Sequence, residues 1–221
     1  MRPGRPLTQR LFIAFRLPAP VVEALTIWQH DAIAHVPNLR LTTPAQLHIT
    51  AVFLGSTPPG EMPAVQTVIA HAMRTARRPV FRVERYHETA RVGMLTLREE
   101  LVGHDHDAGR AVARGHAREG ATGDPWNTGG VPRGAELTGH LMVALEASGR
   151  YVREFRAWRP HVTVARFGVA PHLRLEPPPV SPFAPTDVAL YESALSPRGS
   201  TYTVLTAFPF RDEPPVPPAR S

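Results

Sequence analysis

Two short stretches carry the residues best suited to chemistry. Gln46–Gly55 reads QLHITAVFLG and Arg159–Gly168 reads RPHVTVARFG. Each runs His, β-branched residue, Thr, then apolar residues, with a Gly seven positions after the His. On a strand, residues i and i+2 share a face. His48 therefore projects with Thr50, and His161 with Thr163. Imidazole has an ordinary pKa of about 6.5, so near neutrality one His can accept a proton while another supplies one. Each positioned proton transfer is worth roughly 10²–10⁴-fold in rate. A Thr hydroxyl can donate to an oxygen on which charge develops. Two such pairs facing each other across a cleft would suit displacement at phosphorus: water loses a proton, a departing alkoxide gains one, and no metal or cofactor is required. A single His-x-Thr on a strand is commonplace, because Thr suits strands in any case. The signal lies in its repetition within two apolar strands.

Elements must bring those stretches together. RLFIAFRLP reads as a first strand ending at Pro18. A helix follows over about 20–36, with Pro20 in its first turn and Val21, Leu25, Trp28 and Ala32 on one stripe. The break STPPGEMP leads to a second helix over about 62–77, with Val65, Val68, Ile69, Ala72 and Met73 on its apolar face. VFRVERY and ARVGMLTLR read as paired strands. Residues 101–135 are rich in Gly, His and Asp and read as a loop insertion. A third helix carries Leu137, Leu141 and Leu145, with Gly149 suited to its C-terminal cap. A Pro-rich connection over 177–185 precedes DVALYESAL and TYTVLTAFPF, joined by the turn SPRG. The strands and helices do not alternate strictly, which favours an α+β fold with mainly antiparallel sheets. One domain is expected over 10–208, with a flexible N-terminus over 1–9 and a disordered Pro-rich tail over 209–221.

Composition narrows the chemistry. The chain has 221 residues, 43% hydrophobic, and no apolar run long enough to cross a bilayer. The short apolar segment after MRPGRPLTQR is interrupted by Arg16, so no signal peptide is expected, and a cytoplasmic monomer is. Cysteine is absent, which excludes disulfides, Cys-bound zinc and a Cys nucleophile. All 25 basic residues are Arg, which excludes a Lys nucleophile, a P-loop Lys and a Schiff base. The net charge of +6 makes an anionic ligand plausible, although uniform use of Arg also reads as compositional bias. The HDHD run at His104–Asp107, with His116 nearby, reads as a solvated loop rather than a metal site. Phe12 and Phe15 could stack on bases but read better as core, as does Trp28, while Trp126 gives no reading.

Beyond the paired stretches, RLFIAFRLP and DVALYESALSPRGSTYTVL, with Ser193 and Tyr202, complete a likeness. Over roughly 10–208, outside the insertion, the chain resembles the two-histidine phosphoesterase superfamily, and within it the RNA 2′,3′-cyclic phosphodiesterases also called 2′-5′ RNA ligases. The resemblance implies a bilobal α+β fold, with two mainly antiparallel sheets and outer helices around a central cleft. It implies hydrolysis of a 2′,3′-cyclic phosphate on RNA or a nucleotide to a 2′-phosphate, without metal or cofactor. His48 would protonate the 3′-oxygen, His161 would activate water, and Thr50 and Thr163 would hold the non-bridging oxygens; the two His roles are exchangeable. Arg166 matches a phosphate-contacting Arg, yet by strand alternation it faces away from Thr163 unless the strand bulges. The rival readings are RNA ligation, another cyclic-nucleotide or ADP-ribose cyclic phosphate substrate, and a non-catalytic RNA-binding module.

Overall fold

The computed structural model describes residues 8–101, 132–152, 157–196 and 199–211. Alternation sorts the first strand, β1 (Gln9–Arg16), into two faces. Leu11, Ile13 and Phe15 enter the main core, while Phe12 and Ala14 face the other way and pack in a small second cluster with Ala189 and Tyr191. Pro18 cannot extend a ladder, and helix α1 (Ala19–Ala32) starts directly after it, burying Val21, Leu25 and Gln29. Strand β2 (Leu39–Leu41) is a three-residue element that the apolar pattern is too short to reveal. It precedes β3 (His48–Thr57) and helix α2 (Met62–Ala72), which buries Val65 and Ile69.

Strands β4 (Val80–Glu88) and β5 (Val92–Glu100) form a hairpin. Helix α3 (Arg133–Ala147) follows, its N-terminal amides at Gly134 and Ala135 donating to the Glu99 carboxylate. It buries Leu137, Leu141 and Leu145. The helix ends in a Schellman motif: Gly149 sits at φ 71°, its N–H donates to the Glu146 carbonyl, and the Arg150 N–H donates to the Leu145 carbonyl. Strands β6 (His161–Phe167), β7 (Asp187–Ser196) and β8 (Gly199–Pro209) complete the sheet.

The ladders are antiparallel, in the order β4-β5-β6-β3-β1-β7-β8, with β2 also on β6. β2 pairs with Leu39–Leu41 against Ala165–Phe167, whereas β3 meets β6 at one pair, Ile49 with Val162. The sheet thus consists of two four-stranded halves joined by a single pair, and each half contributes one His-x-Thr strand at the seam. Residues from all three helices pack with the Leu11–Ile13–Phe15 face of β1 in one core.

Several boundaries differ from the sequence expectation. α1 and α2 stop at Ala32 and Ala72, short of the expected ends, because the apolar stripe that suggested longer helices runs on into buried turn residues, Ile33 and Met73, outside the helices. α3 begins at Arg133, inside the stretch read as loop. Phe210, past the expected domain end, is 4% exposed and stacks on Phe15 with ring centroids 6.5 Å apart. The HDHD run, His116 and Trp126 lie outside the described residues. Phe15 is core; Phe12 is buried too, but against the site.

Candidate active site

His48 opens β3 and His161 opens β6. The pairing of Ile49 with Val162 fixes their relation. In antiparallel register its neighbours also oppose each other, so His48 lies across from Thr163 and Thr50 across from His161. Ile49 and Val162 are both 0% exposed, and the four polar residues project from the other face. By that register each His stands across from the other motif's Thr, and the two His are diagonal neighbours, about 7–8 Å apart in a regular ladder.

Both imidazoles are held in the same way. His48 Nδ1 lies 2.7 Å from the Gln46 carbonyl, and His161 Nδ1 lies 2.9 Å from the Arg159 carbonyl. A carbonyl only accepts, so each Nδ1 carries the hydrogen and each Nε2 is left for chemistry. His48 Nε2 is 3.0 Å from the Thr50 hydroxyl, which donates to it when the ring is neutral.

Both motifs also bulge three residues after the His. Ala51 is skipped between the pairs Ala14–Thr50 and Ile13–Val52, and Val164 between Met94–Thr163 and Gly93–Ala165. Burial follows the same course in both: the residue after the Thr and its successor are buried, and the next, Phe53 or Arg166, is exposed. The bulge resolves the parity problem at Arg166, since one extra residue turns it back to the face of His161 and Thr163. The Val164 carbonyl accepts from the Thr42 N–H at 2.9 Å and from Gln29 Nε2 at 2.6 Å, and the same Gln29 amide donates to the Thr42 carbonyl at 3.0 Å. Gln29 is 1% exposed. The Gly residues at the shared offset do not play equal parts: Gly55 has φ 70°, whereas Gly168 is not left-handed.

Aromatic rings enclose His48. Ring centroids of Phe12, Tyr202 and Tyr191 lie 5.0, 5.4 and 5.8 Å from the imidazole, and Phe12 stacks on Tyr191 at 4.9 Å. Removal from water disfavours the imidazolium and pushes the His48 pKa down to about 4. The Gln46 carbonyl opposes that shift, and the nearby positive charges of His161 and Arg166 add to it. Beside the cage, Arg16 pairs in register with His48 and holds Asp187 through a forked ion pair, with Nε 2.7 Å from Oδ1 and Nη2 on Oδ2.

A cavity of about 510 Å³ opens where β3 parts from the segment leading into β6. Thr50 and His161 line it, together with the apolar side chains of Phe53, Met94, Met142 and Trp158 and the polar ones of Arg85, His87, Thr96 and Arg159. Trp158 is fixed there by its indole N–H, which donates to the Thr50 carbonyl at 2.9 Å. His48, Thr163 and Arg166 are not part of this lining. The sequence reading missed Gln29, Phe53, Tyr191, Arg85 and Arg159. Gln29 alone left a trace, a polar residue on the stripe of Val21 and Leu25.

No protein-family profile and no curated protein sequence matches the chain. Solved structures do match in fold. Escherichia coli LigT complexed with 3′-AMP aligns at TM-score 0.63 and 20% identity, over 92% of this chain and 99% of that one. TT0787 of Thermus thermophilus aligns at TM-score 0.62 and 24% identity, over 91% and 98%. A structure described as a phosphoesterase aligns at TM-score 0.64 and 21% identity, over 92% and 99%. With its His–Thr strands brought side by side at the seam of one curled antiparallel sheet, the chain has the two-histidine phosphoesterase fold.

Proposed function

We propose that this protein is a phosphodiesterase that opens a 2′,3′-cyclic phosphate at the end of an RNA or on a nucleotide, leaving a 2′-phosphate. The observation that carries the reading is the reciprocal His48–Thr163 and Thr50–His161 register, with both Nδ1 atoms tied to carbonyls and the Nε2 of His48 directed at the Thr50 hydroxyl, the group that would share a phosphate with it. Water attacks phosphorus as His161 Nε2 takes its proton. The bond from phosphorus to O3′ breaks as His48 Nε2–H protonates that oxygen. Thr50, Thr163 and Arg166 donate to the non-bridging oxygens, where charge builds up.

The aromatic cage adds a condition. With burial holding its pKa near 4, His48 is neutral at pH 7. An acid must carry a proton, and an anionic phosphate beside the ring favours the imidazolium. Substrate binding therefore brings the proton that His48 later gives away. LigT has been crystallised with 3′-AMP, NADP+ and ATP, which supports a nucleotide ligand for this fold.

Phosphorus NMR of a nucleoside 2′,3′-cyclic phosphate incubated with the protein and a chelator tests the activity. Conversion to the 2′-phosphate, abolished in His48→Ala and in His161→Ala, is expected. No turnover, or turnover undiminished in both variants, would overturn the reading.

A further inference from the structure

The β4–β5 hairpin carries charge in two zones on one face. At its far end the charges are matched: Arg82 pairs with Glu100 at 2.6 Å, and Arg98 with Glu84 at 2.9 Å. A bulge at Glu84, between the pairs Val83–Leu97 and Arg85–Thr96, starts the second zone. There Arg85 and His87 stand beside Thr96 and Met94, and these in turn pair with His161 and Thr163 on β6. One cross-strand row thus runs Arg85, Thr96, His161, Thr50. Two strand spacings, about 10 Å, separate the backbones of Arg85 and His161.

Arg85, His87 and Arg159 line the same cavity as His161 and Thr50, and among the described residues no Asp or Glu does. Among those residues no ion pair engages Arg85 or Arg159, whereas Arg82 and Arg98 on the same hairpin each have one. An arginine on a solvated ladder face is ordinarily interleaved with acids, as here at the far end. Unmatched cations that converge on a concave wall next to the reacting group form an anion site.

We infer that Arg85 and Arg159, with His87 beside them, bind a second phosphate, the one on the 5′-oxygen of the nucleoside whose cyclic phosphate is opened. The inference rests on the proposed activity and deepens it: the substrate is the end of an RNA strand, whose next phosphate the cavity holds, rather than a lone nucleoside cyclic phosphate. Met94, Met142 and Trp158, also in the lining, offer no charge to a phosphate, which leaves Arg85, His87 and Arg159 as its partners beyond the reacting pair.

Calorimetric binding of two product analogues tests this without requiring turnover. Adenosine 2′-phosphate carries only the first phosphate; adenosine 2′,5′-bisphosphate carries both. The bisphosphate is expected to bind at least about tenfold more tightly to the wild type, since a charge-assisted phosphate contact ordinarily exceeds that factor. The preference should persist in Arg82→Ala, outside the cavity, and fall towards unity in the double variant Arg85→Ala/Arg159→Ala. Both arginines are exposed, so the double variant should melt within a few degrees of wild type. Equal affinity for the two ligands in wild type, binding of neither, or a preference retained in the double variant overturns the subsite. A preference lost as expected, in a protein that turns over no cyclic phosphate, would keep the subsite and overturn the proposed activity.

Discussion

Replacing His48 by Gln should change how stability depends on pH in a manner fixed by the aromatic cage. Burial among Phe12, Tyr191 and Tyr202 lowers the folded-state pKa from 6.5 to about 4, while the unfolded chain keeps the ordinary value. Between those two values the unfolded state binds more protons than the folded one, so stability rises with pH across that window. Equivalently, it is lost as pH falls from about 6.5 towards 4. A shift of that size corresponds to at most about 3 kcal/mol. Gln fills similar space and does not titrate. Urea unfolding of wild type and His48→Gln at pH 8, 6 and 5 isolates the contribution, since every other titrating group cancels in the difference. Wild type should lose stability relative to the variant by roughly 1–2 kcal/mol between pH 8 and pH 5. Parallel pH profiles would refute the reasoning, as would a His48 ring resonance that titrates near 6.5 in the folded protein.

Three further outcomes follow from the same contacts. Adenosine 2′-phosphate binding near pH 7 should take up close to one proton, measured by calorimetry in buffers of different ionisation enthalpy, with affinity rising as pH falls towards 6. Gln29→Leu should cost about 2–4 kcal/mol in urea unfolding, because it strips the Val164 and Thr42 carbonyls of a buried donor; it should also lower kcat by loosening the bulge that turns Arg166 to the site. Gly149→Ala should destabilise by about 1 kcal/mol without changing turnover, since its φ of 71° strains any residue bearing a Cβ.

Much of the fold was legible because it rests on short-range pattern. Short runs of apolar and β-branched residues marked β1, β3 and β6, the Leu137–Leu141–Leu145 spacing marked α3, and Gly149 marked its end. The His-x-Thr spacing showed which side chains share a face, but the register that sets His48 opposite Thr163 depends on one long-range pair, Ile49 with Val162, which no local pattern encodes. Bulges are the other hidden element. An extra residue in a ladder leaves no compositional mark, so strict alternation placed Arg166 on the wrong face and gave Phe53 no role. Gln29 was overlooked for a related reason: its partners, the Thr42 and Val164 carbonyls, come from distant parts of the chain. The unmatched Arg85 looks like any surface arginine until pairing shows which of its neighbours on the hairpin have acids and which do not.

The most direct measurement is a crystal structure with adenosine 2′-phosphate bound near pH 6. The expected density has one phosphorus between the two rings, with the Nε2 atoms of His48 and His161 each about 2.6–3.2 Å from different phosphate oxygens and the Thr50 and Thr163 hydroxyls on the remaining ones. A phosphate that engages only one imidazole, or that settles elsewhere while both rings keep their present partners, would contradict paired acid and base chemistry at this seam.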